Sequence, residues 1–343
     1  MFRKSKHITI VLIAVLVFVF LTSFVFVAAK KKATGKKKLV YGYISPGPDT
    51  WYKRDVEGFQ VGAEKYGVDV IVLNSDYSVE KEIANIDAMI TQGVDGLSMF
   101  SFNENGARIA AQKCNKAKIP IVVTDSAGSI LREKVEVVAA VDFDWIATGQ
   151  LTAQWMAKNY PGENYVVITG NFTSVPMIDL HKGIKEESEK LGKNKLLDIR
   201  EAKFDPNLAV DVAQDLIQSG LDFSLIYVAD EDMGAAVIRM LTDKGVINKP
   251  YKVLSENGSP AGIPPLKDGR LKFTVSMSPG WEGLLAFLAL HRHVVGASSK
   301  VNQAIMMPIV GITKDNIDQI APWEYDPVWW DFTKKYHPDL LKF

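Results

Sequence analysis

From Leu39 onward, uninterrupted apolar runs of five to seven residues alternate with stretches whose apolar positions recur every three to four residues, which restricts the chain to few folds. The runs are LVYGYI, VDVIVL, VDGLSMF and IPIVVT, then VEVVAAV, YVVITG, FSLIYVA, YKVLSE and LKFTVSM. Between them, segments such as the one carrying Val79, Ile83, Ile86 and Ile90 read as amphipathic helices. A strand without polar alternation has both faces covered, so strand, helix, strand repetition predicts parallel sheets between helix layers. The pattern pauses at AGSILREKVE, residues 127–136, and resumes with a second series of the same kind. A chain of 343 residues also has room for about two domains. The predicted class is α/β, with two doubly wound Rossmann-like lobes.

Ahead of this body lie Arg3, Lys4 and Lys6, an uncharged run from Ile8 to Ala29, and then Lys30, Lys31 and Lys32. This is the layout of an export signal, and Val27, Ala28 and Ala29 favour cleavage after Ala29. The apolar run is also long enough, at about 20 residues, to remain as an uncleaved anchor. Residues 1–29 are therefore a signal peptide or anchor, and 30–38 a lysine-rich solvated spacer. Residues 1–38 hold nine Lys or Arg and no acid, which leaves the body with 31 basic against 40 acidic residues, net −9. An acidic body excludes nucleic acid as the partner, and membrane contact is expected only through the amino-terminal segment.

Several chemistries are missing. There is no Walker loop, glycine-rich dinucleotide fingerprint, G-x-S-x-G elbow or paired Cys-x-x-Cys, so neither an enzyme nor a cofactor is expected. The single cysteine, Cys114, falls in a helical pattern and reads as core. His291 and His293, spaced i, i+2 on a helix, cannot share a face, so no metal is expected and the pair reads as helix surface. Asn171 and Asn257 sit in glycan-acceptor triplets, yet turn chemistry at strand ends accounts for both. The tail carries Trp323, Trp329 and Trp330, expected to pack an extension onto the body.

In open parallel sheets ligands sit beyond the carboxyl ends of the strands, and polar and aromatic residues recur there. They are Asp49, Trp51 and Tyr52 after the first run, Phe102 and Asn103 after VDGLSMF, and Asp125 after IPIVVT. The second series adds Asn171, Phe204, Asp230, Glu256 and Asn257. Carboxylates and amides bond adjacent hydroxyls, and flat rings cover the C–H face of a sugar. Taken singly, Asp and Asn after strands are as readily helix caps and turn formers.

DTWYKRDVEGFQVGAEKYGVDVIVLNSDYSVEKEIANIDAMITQGVDGLSM, AKIPIVVTDSAG, FDWIATGQLTAQWMA, IYVADEDMGAAVIRMLTDKG and VLSENGSPAGIPPLKDGRLKFTVSMSPGWEG follow one another in the chain. This ordered set resembles the periplasmic ribose-binding protein family of ABC-transporter solute receptors. The resemblance, from Leu39 to about Lys314, implies the type I periplasmic binding protein fold, with a three-strand hinge. It implies an amino-terminal lobe of residues 39–143 with 278–307, a carboxyl-terminal lobe of 144–277 with 308–320, and 321–343 as a tryptophan-rich extension. It also implies a monomer that closes on a monosaccharide-like ligand and delivers it to an inner-membrane ABC permease. The same fold could instead report a sugar or a furanosyl autoinducer to a membrane sensor. Asp49, Trp51, Tyr52, Asn103, Asp125, Phe204, Asp230 and Asn257 stand at ligand positions. The chain departs from the ribose pattern at Ser126 and Leu180, where the family has arginines, and at Met277, where it has glutamine. Losing those donors makes ribose itself an unexpected ligand, and Lys53, Arg54, His181 and Trp281 are the candidates to replace them.

Overall fold

The computed structural model describes residues 37–101, 104–125, 127–131 and 135–343. The export segment, and Phe102, Asn103 and Ser126 of the expected site, lie outside the described residues. Among the described residues no helix is long and apolar enough to cross a membrane.

The first half runs β1 (Val40–Ser45), α1 (Thr50–Tyr66), β2 (Asp69–Asn74), α2 (Val79–Gln92), β3 (Gly96–Phe100), α3 (Glu104–Ala117), β4 (Ile121–Thr124), the short α4 (Ala127–Ile130) and β5 (Ala139–Phe143). The second runs α5 (Trp145–Asn159), β6 (Tyr165–Thr169), α6 (Val175–Leu191), β7 (Leu196–Glu201), α7 (Pro206–Gln218), β8 (Leu225–Val228), α8 (Glu231–Asp243), β9 (Lys252–Leu254), α9 (Ile263–Lys267) and β10 (Leu271–Ser276). Then follow α10 (Pro279–Val294), β11 (Gln303–Met307), β12 (Val310–Ile312) and α11 (Val328–Tyr336).

Two six-stranded sheets result, in the orders β11-β5-β4-β3-β1-β2 and β12-β10-β9-β8-β6-β7. All described pairings are parallel except β10 with β12. The chain passes from one sheet to the other after Phe143, after Ser276 and between β11 and β12, three crossings in all. In each sheet the order reverses beside its first strand, β1 or β6, so the flanking crossovers leave a crevice at the strands' carboxyl ends. Because β5 joins the first sheet, the pause at residues 127–136 falls inside a lobe rather than between lobes.

Helix boundaries follow the local chemistry. Asp49 caps α1 by accepting from the Trp51 amide at 2.8 Å, and Gly67, at φ +68°, closes it in the left-handed region that glycine enters without strain. Close helix packing needs glycine for a different reason. A Cβ on Gly58 of α1 would lie 1.7 Å from the Gly280 carbonyl of α10, and one on Gly149 of α5 would lie 2.3 Å from the Leu180 carbonyl of α6. Each lobe therefore holds one helix pair in near backbone contact.

The cores bury tyrosines whose hydroxyls find partners, as buried polar groups must. Tyr165 reaches Ser188 at 3.0 Å, Tyr227 reaches Glu256 at 2.6 Å, and Tyr41 meets His291 Nδ1 at 2.8 Å. The last contact corrects the surface reading of His291, which is buried against Phe287 and Tyr66. Cys114 is buried, as expected. The tail packs onto the body: Trp329 is wholly buried, its indole donates to the Pro322 carbonyl at 3.0 Å, and Lys65 lies 4.4 Å above the Trp330 ring.

Candidate functional site

Four residues that leave strands of the two sheets share an unusual backbone. Asp125 after β4, Phe204 after β7, Asp230 after β8 and Asn257 beyond β9 have φ of +49°, +58°, +92° and +92°. Non-glycine residues occupy this region rarely and at a cost of order 1–3 kcal/mol, and such strain collects at ligand sites. It turns each side chain out of the line of its strand. For Phe204 the consequence is visible: its ring covers Gly170 so closely that a Cβ there would lie 2.0 Å from a ring carbon.

In the first lobe the ring of Trp51 is the hub. Its indole N–H donates to Asp125 Oδ2 at 3.2 Å, and the ring meets Phe143, Trp145 and Trp323 with centroids 5.9, 6.4 and 5.3 Å away. Tyr52 stands edge-on to Phe100 at 4.8 Å and near Tyr77. Asp125 is 1% exposed, and its other oxygen, Oδ1, meets no donor. Burial, with Asp142 and Asp55 adding repulsion, pushes its carboxyl well above the usual range.

On the second lobe Asp230 caps α8 through the Met233 amide at 2.8 Å. Burial first, then the charges of Asp232, Glu231 and Asp49, push its carboxyl well up. Burial first, then the charge of Asp49, likewise raises Asp232. Asn257 is 8% exposed with Oδ1 unpartnered, and its loop is pinned from below by Glu231, which accepts from the Gly258 and Ser259 amides at 2.7 and 3.1 Å. Met277 is buried, its amide bonded to the Asn257 carbonyl at 3.0 Å, so it offers apolar surface without hydrogen-bonding capacity.

The substitutes expected for the lost arginines mostly find other work. Arg54 is engaged by Glu57 and Glu324, both at 2.6 Å. Trp281 is buried under the tail, its indole bonded to Thr333 at 2.9 Å. His181 has a buried, unpartnered Nε2, and burial lowers its pKa to about 4, so it carries no charge at neutral pH. Lys53 is exposed, and its charge steadies Asp49. Glu256 leaves the strand-end set, since its carboxylate is buried on the Tyr227 hydroxyl, and Asn171 only shapes a turn, its carbonyl accepting from the Ser174 amide.

Two features have no counterpart in the sequence reading. Trp323, from the tail, stacks edge-on against Trp51 and donates to the Asn257 carbonyl at 3.0 Å, touching site loops of both lobes. Beneath Asp125 lies a buried set of carboxyls: Asp55, Asp142 and Glu282. Asp55 accepts from the Tyr43 and Thr124 hydroxyls, and Asp142 from the amides of Ala127 and Phe143 and the Trp145 indole. Burial raises Asp55 and Asp142 to about 7, and burial with the neighbouring charges of Asp125 and Asp55 raises Glu282 well above its usual range. Among the described residues no group of three acids, histidines or cysteines has the geometry for a metal ion.

The family described as periplasmic binding protein domain matches residues 41–298. The chain belongs to the periplasmic binding protein family. Membership places the working compartment of this binding protein outside the cytoplasm. It is 24% identical over 224 residues to the ribose import binding protein of Salmonella typhimurium, covering 65% of this chain and 73% of that one. The ribose import binding protein of Bacillus subtilis is 23% identical over 254 residues, 74% of this chain and 80% of the relative. Among solved structures, an ABC transporter solute binding protein from Burkholderia graminis in complex with D-arabinose superposes with a TM-score of 0.77 at 19% identity, over 84% of this chain and all of the other. One from Bacillus halodurans with bound myo-inositol gives 0.75 at 20% identity, over 83% and 98%. These structures share the two-lobed type I fold of this binding protein.

Proposed function

We propose that this periplasmic binding protein captures a small polyhydroxylated ligand between its lobes and delivers it to an ABC permease. The observation that carries the reading is Asp125, a buried carboxyl at a strand end with one oxygen on the Trp51 indole and the other without a hydrogen-bond partner, beside a ring cluster that reaches the Asn257 loop through Trp323. Aromatic rings beside unsatisfied acceptors are the chemistry of sugar recognition. Relatives named for ribose import and folds named for arabinose and inositol binding support the same class. Asp49, Trp51, Tyr52, Phe204, Asp230 and Asn257 act as the contacts, with Asn103 and Ser126 completing the first lobe.

The lobes in this reading are residues 39–143 with 278–307 and 144–277 with 308–320, the extension is 321–343, and the protein works as a monomer. Residues 1–29 direct export and are removed after Ala29 or kept as an anchor. Ligand bridging both lobes favours the closed state through contacts that only closure completes. A thermal-shift screen of pentoses, hexoses, polyols and nucleosides tests the proposal. A ligand at ~100 times its dissociation constant adds roughly 2.7 kcal/mol of stability. A sugar or polyol hit is the expected result; a response to nucleosides alone would overturn the ligand class.

A further inference from the structure

The second passage between the sheets runs through Ser276, Met277 and Ser278, where β10 ends and α10 begins. Bending between two lobes is absorbed by backbone rotation at a few such residues at the ends of elements. Here three consecutive tail residues are bound across them. The Ala321 amide donates to Ser276 Oγ at 2.8 Å, and Ser278 Oγ donates to the Pro322 carbonyl at 2.5 Å. The Trp323 indole donates at 3.0 Å to the Asn257 carbonyl, the same oxygen that accepts from the Met277 amide at 3.0 Å. Ser276, Met277, Ser278 and Trp323 are all more than nine-tenths buried, where a hydrogen bond is stronger than in water and costly to leave unmade.

Beyond Trp323 the tail is built onto the first lobe. Glu324 pairs with Arg54 of α1 at 2.6 Å, Lys65 of α1 lies over Trp330, and Trp281 and Arg292 of α10 donate to Thr333 and to the Lys342 carbonyl at 2.9 and 2.8 Å. Trp323 is therefore an arm anchored on one lobe whose N–H reaches the Asn257 loop, which follows β9 of the other sheet. Its ring meanwhile stands edge-on to Trp51, with centroids 5.3 Å apart. Asn257 holds φ +92°, a conformation that persists only where neighbours enforce it, and the bonds from Met277 and Trp323 to its carbonyl are that enforcement.

We propose that residues 321–323 splint the hinge: by tying Ser276, Ser278 and the Asn257 loop to a tail seated on the first lobe, they limit how far the crevice opens. Trp323 is then a positioning residue, which sets Trp51 of one lobe and Asn257 of the other for the ligand without belonging to either sheet. Turning the backbone at Met277 pulls on all of these bonds at once. Lobes held near one spacing start with a larger binding-competent fraction, and the apparent dissociation constant falls in proportion. The splint rests on the hydrogen bonds and needs no ligand; its effect on affinity rests on the sugar-binding reading above.

The test is pulsed electron paramagnetic resonance on the full-length chain in mild detergent, without ligand. Spin labels go on Ala84→Cys of α2 and Asp211→Cys of α7, exposed positions on the helices that follow the edge strands β2 and β7, while Cys114 is buried and stays unlabelled. Trp323→Phe keeps a ring against Trp51 and removes the donor to Asn257. It should move the distance distribution to longer values by more than the width of the parent peak. A packing role predicts no shift, because the ring is kept, so an unshifted distribution would overturn the splint. If phenylalanine does not fold, Ser276→Ala, which removes the acceptor of the Ala321 amide and leaves Trp323 in place, decides by the same criterion. In calorimetry with D-glucose, D-arabinose and myo-inositol as probes, Trp323→Phe should weaken the binding that the parent shows by roughly threefold or more. Silence of the parent toward every sugar and polyol would count against the sugar reading and leave the splint to be decided by the ligand-free distances.

Discussion

Replacing Asp55 with asparagine should stabilise the protein at alkaline pH and cost about 1–2 kcal/mol at acid pH, where only the burial of the amide is felt. Asp55 is fully buried on α1, accepts from Tyr43 and Thr124, and lies among Asp125, Asp142 and Glu282. Burial lifts its carboxyl from 3.8 to about 7, so the folded protein keeps a proton that the unfolded chain releases. A raised acid contributes fully below the unfolded value, and its contribution declines as pH climbs through about 7. At ~1.4 kcal/mol per pH unit, that interval caps the loss at ~4 kcal/mol. Asparagine has no such loss. Its carbonyl can still accept from both hydroxyls, and its amide falls where Oδ1 now has no partner. Allowing ~1–2 kcal/mol for burying the amide, the variant should gain about 2–3 kcal/mol at pH 8. At roughly 2 °C per kcal/mol, that is a rise of at least ~4 °C in Tm. Thermal unfolding at pH 4 and pH 8 measures it. Parallel pH profiles for the two proteins, or a lower Tm for the variant at pH 8, would show that the acids are not held protonated and would sink the reasoning.

Three further outcomes are expected. Asp125→Ala should weaken ligand binding at least tenfold in calorimetry, because polar ligand groups lose their buried partner and the Trp51 indole is released. Trp323→Ala should lower stability by about 3–5 kcal/mol in urea unfolding, as removal of a buried tryptophan does, and should also weaken binding, since it frees both Trp51 and the Asn257 loop. Unchanged affinity would confine Trp323 to packing. Gly149→Ala should cost about 1–3 kcal/mol or more by driving α5 off α6, again read from urea unfolding, while alanine at exposed Gln60 serves as the neutral control.

Much of the architecture was legible because parallel strands covered on both faces are continuous apolar runs, and nine of the twelve strands read that way. The three that did not are edge strands. β7, LLDIRE, is half-buried throughout and carries charges, β11, QAIMM, alternates exposed and buried positions, and β12 has three residues, each at a sheet edge, where one neighbour is enough. The lobe change after Phe143 was hidden for a related reason: β5 reads like the opening of a second series and is the fifth strand of the first sheet.

The site divides along the same line. Strand order and periodicity tell which residues stand at strand ends, so Asp125, Phe204, Asp230 and Asn257 could be named from the chain alone, and the structure gives all four the left-handed backbone. Which of the neighbouring polar residues turn inward could not be read, because Glu256 and Asn257 are adjacent and only packing sends one to Tyr227 and leaves the other's Oδ1 unpartnered. Nor could the contacts between residues far apart in the chain: Trp51 with Asp125, Arg54 with Glu324 and Trp323 with Asn257 join residues 74, 270 and 66 positions apart. The buried acids are the clearest case. Asp55, Asp142 and Glu282 each look like an ordinary solvated residue in its own segment, and only the closure of α1, β5 and α10 around β4 brings them together out of water. Local pattern determined the two-lobed class and the edge where a ligand belongs, because periodicity and turn chemistry act over a few residues. Tertiary structure decided the charge of that edge, because desolvation and repulsion depend on neighbours that the chain order keeps far apart.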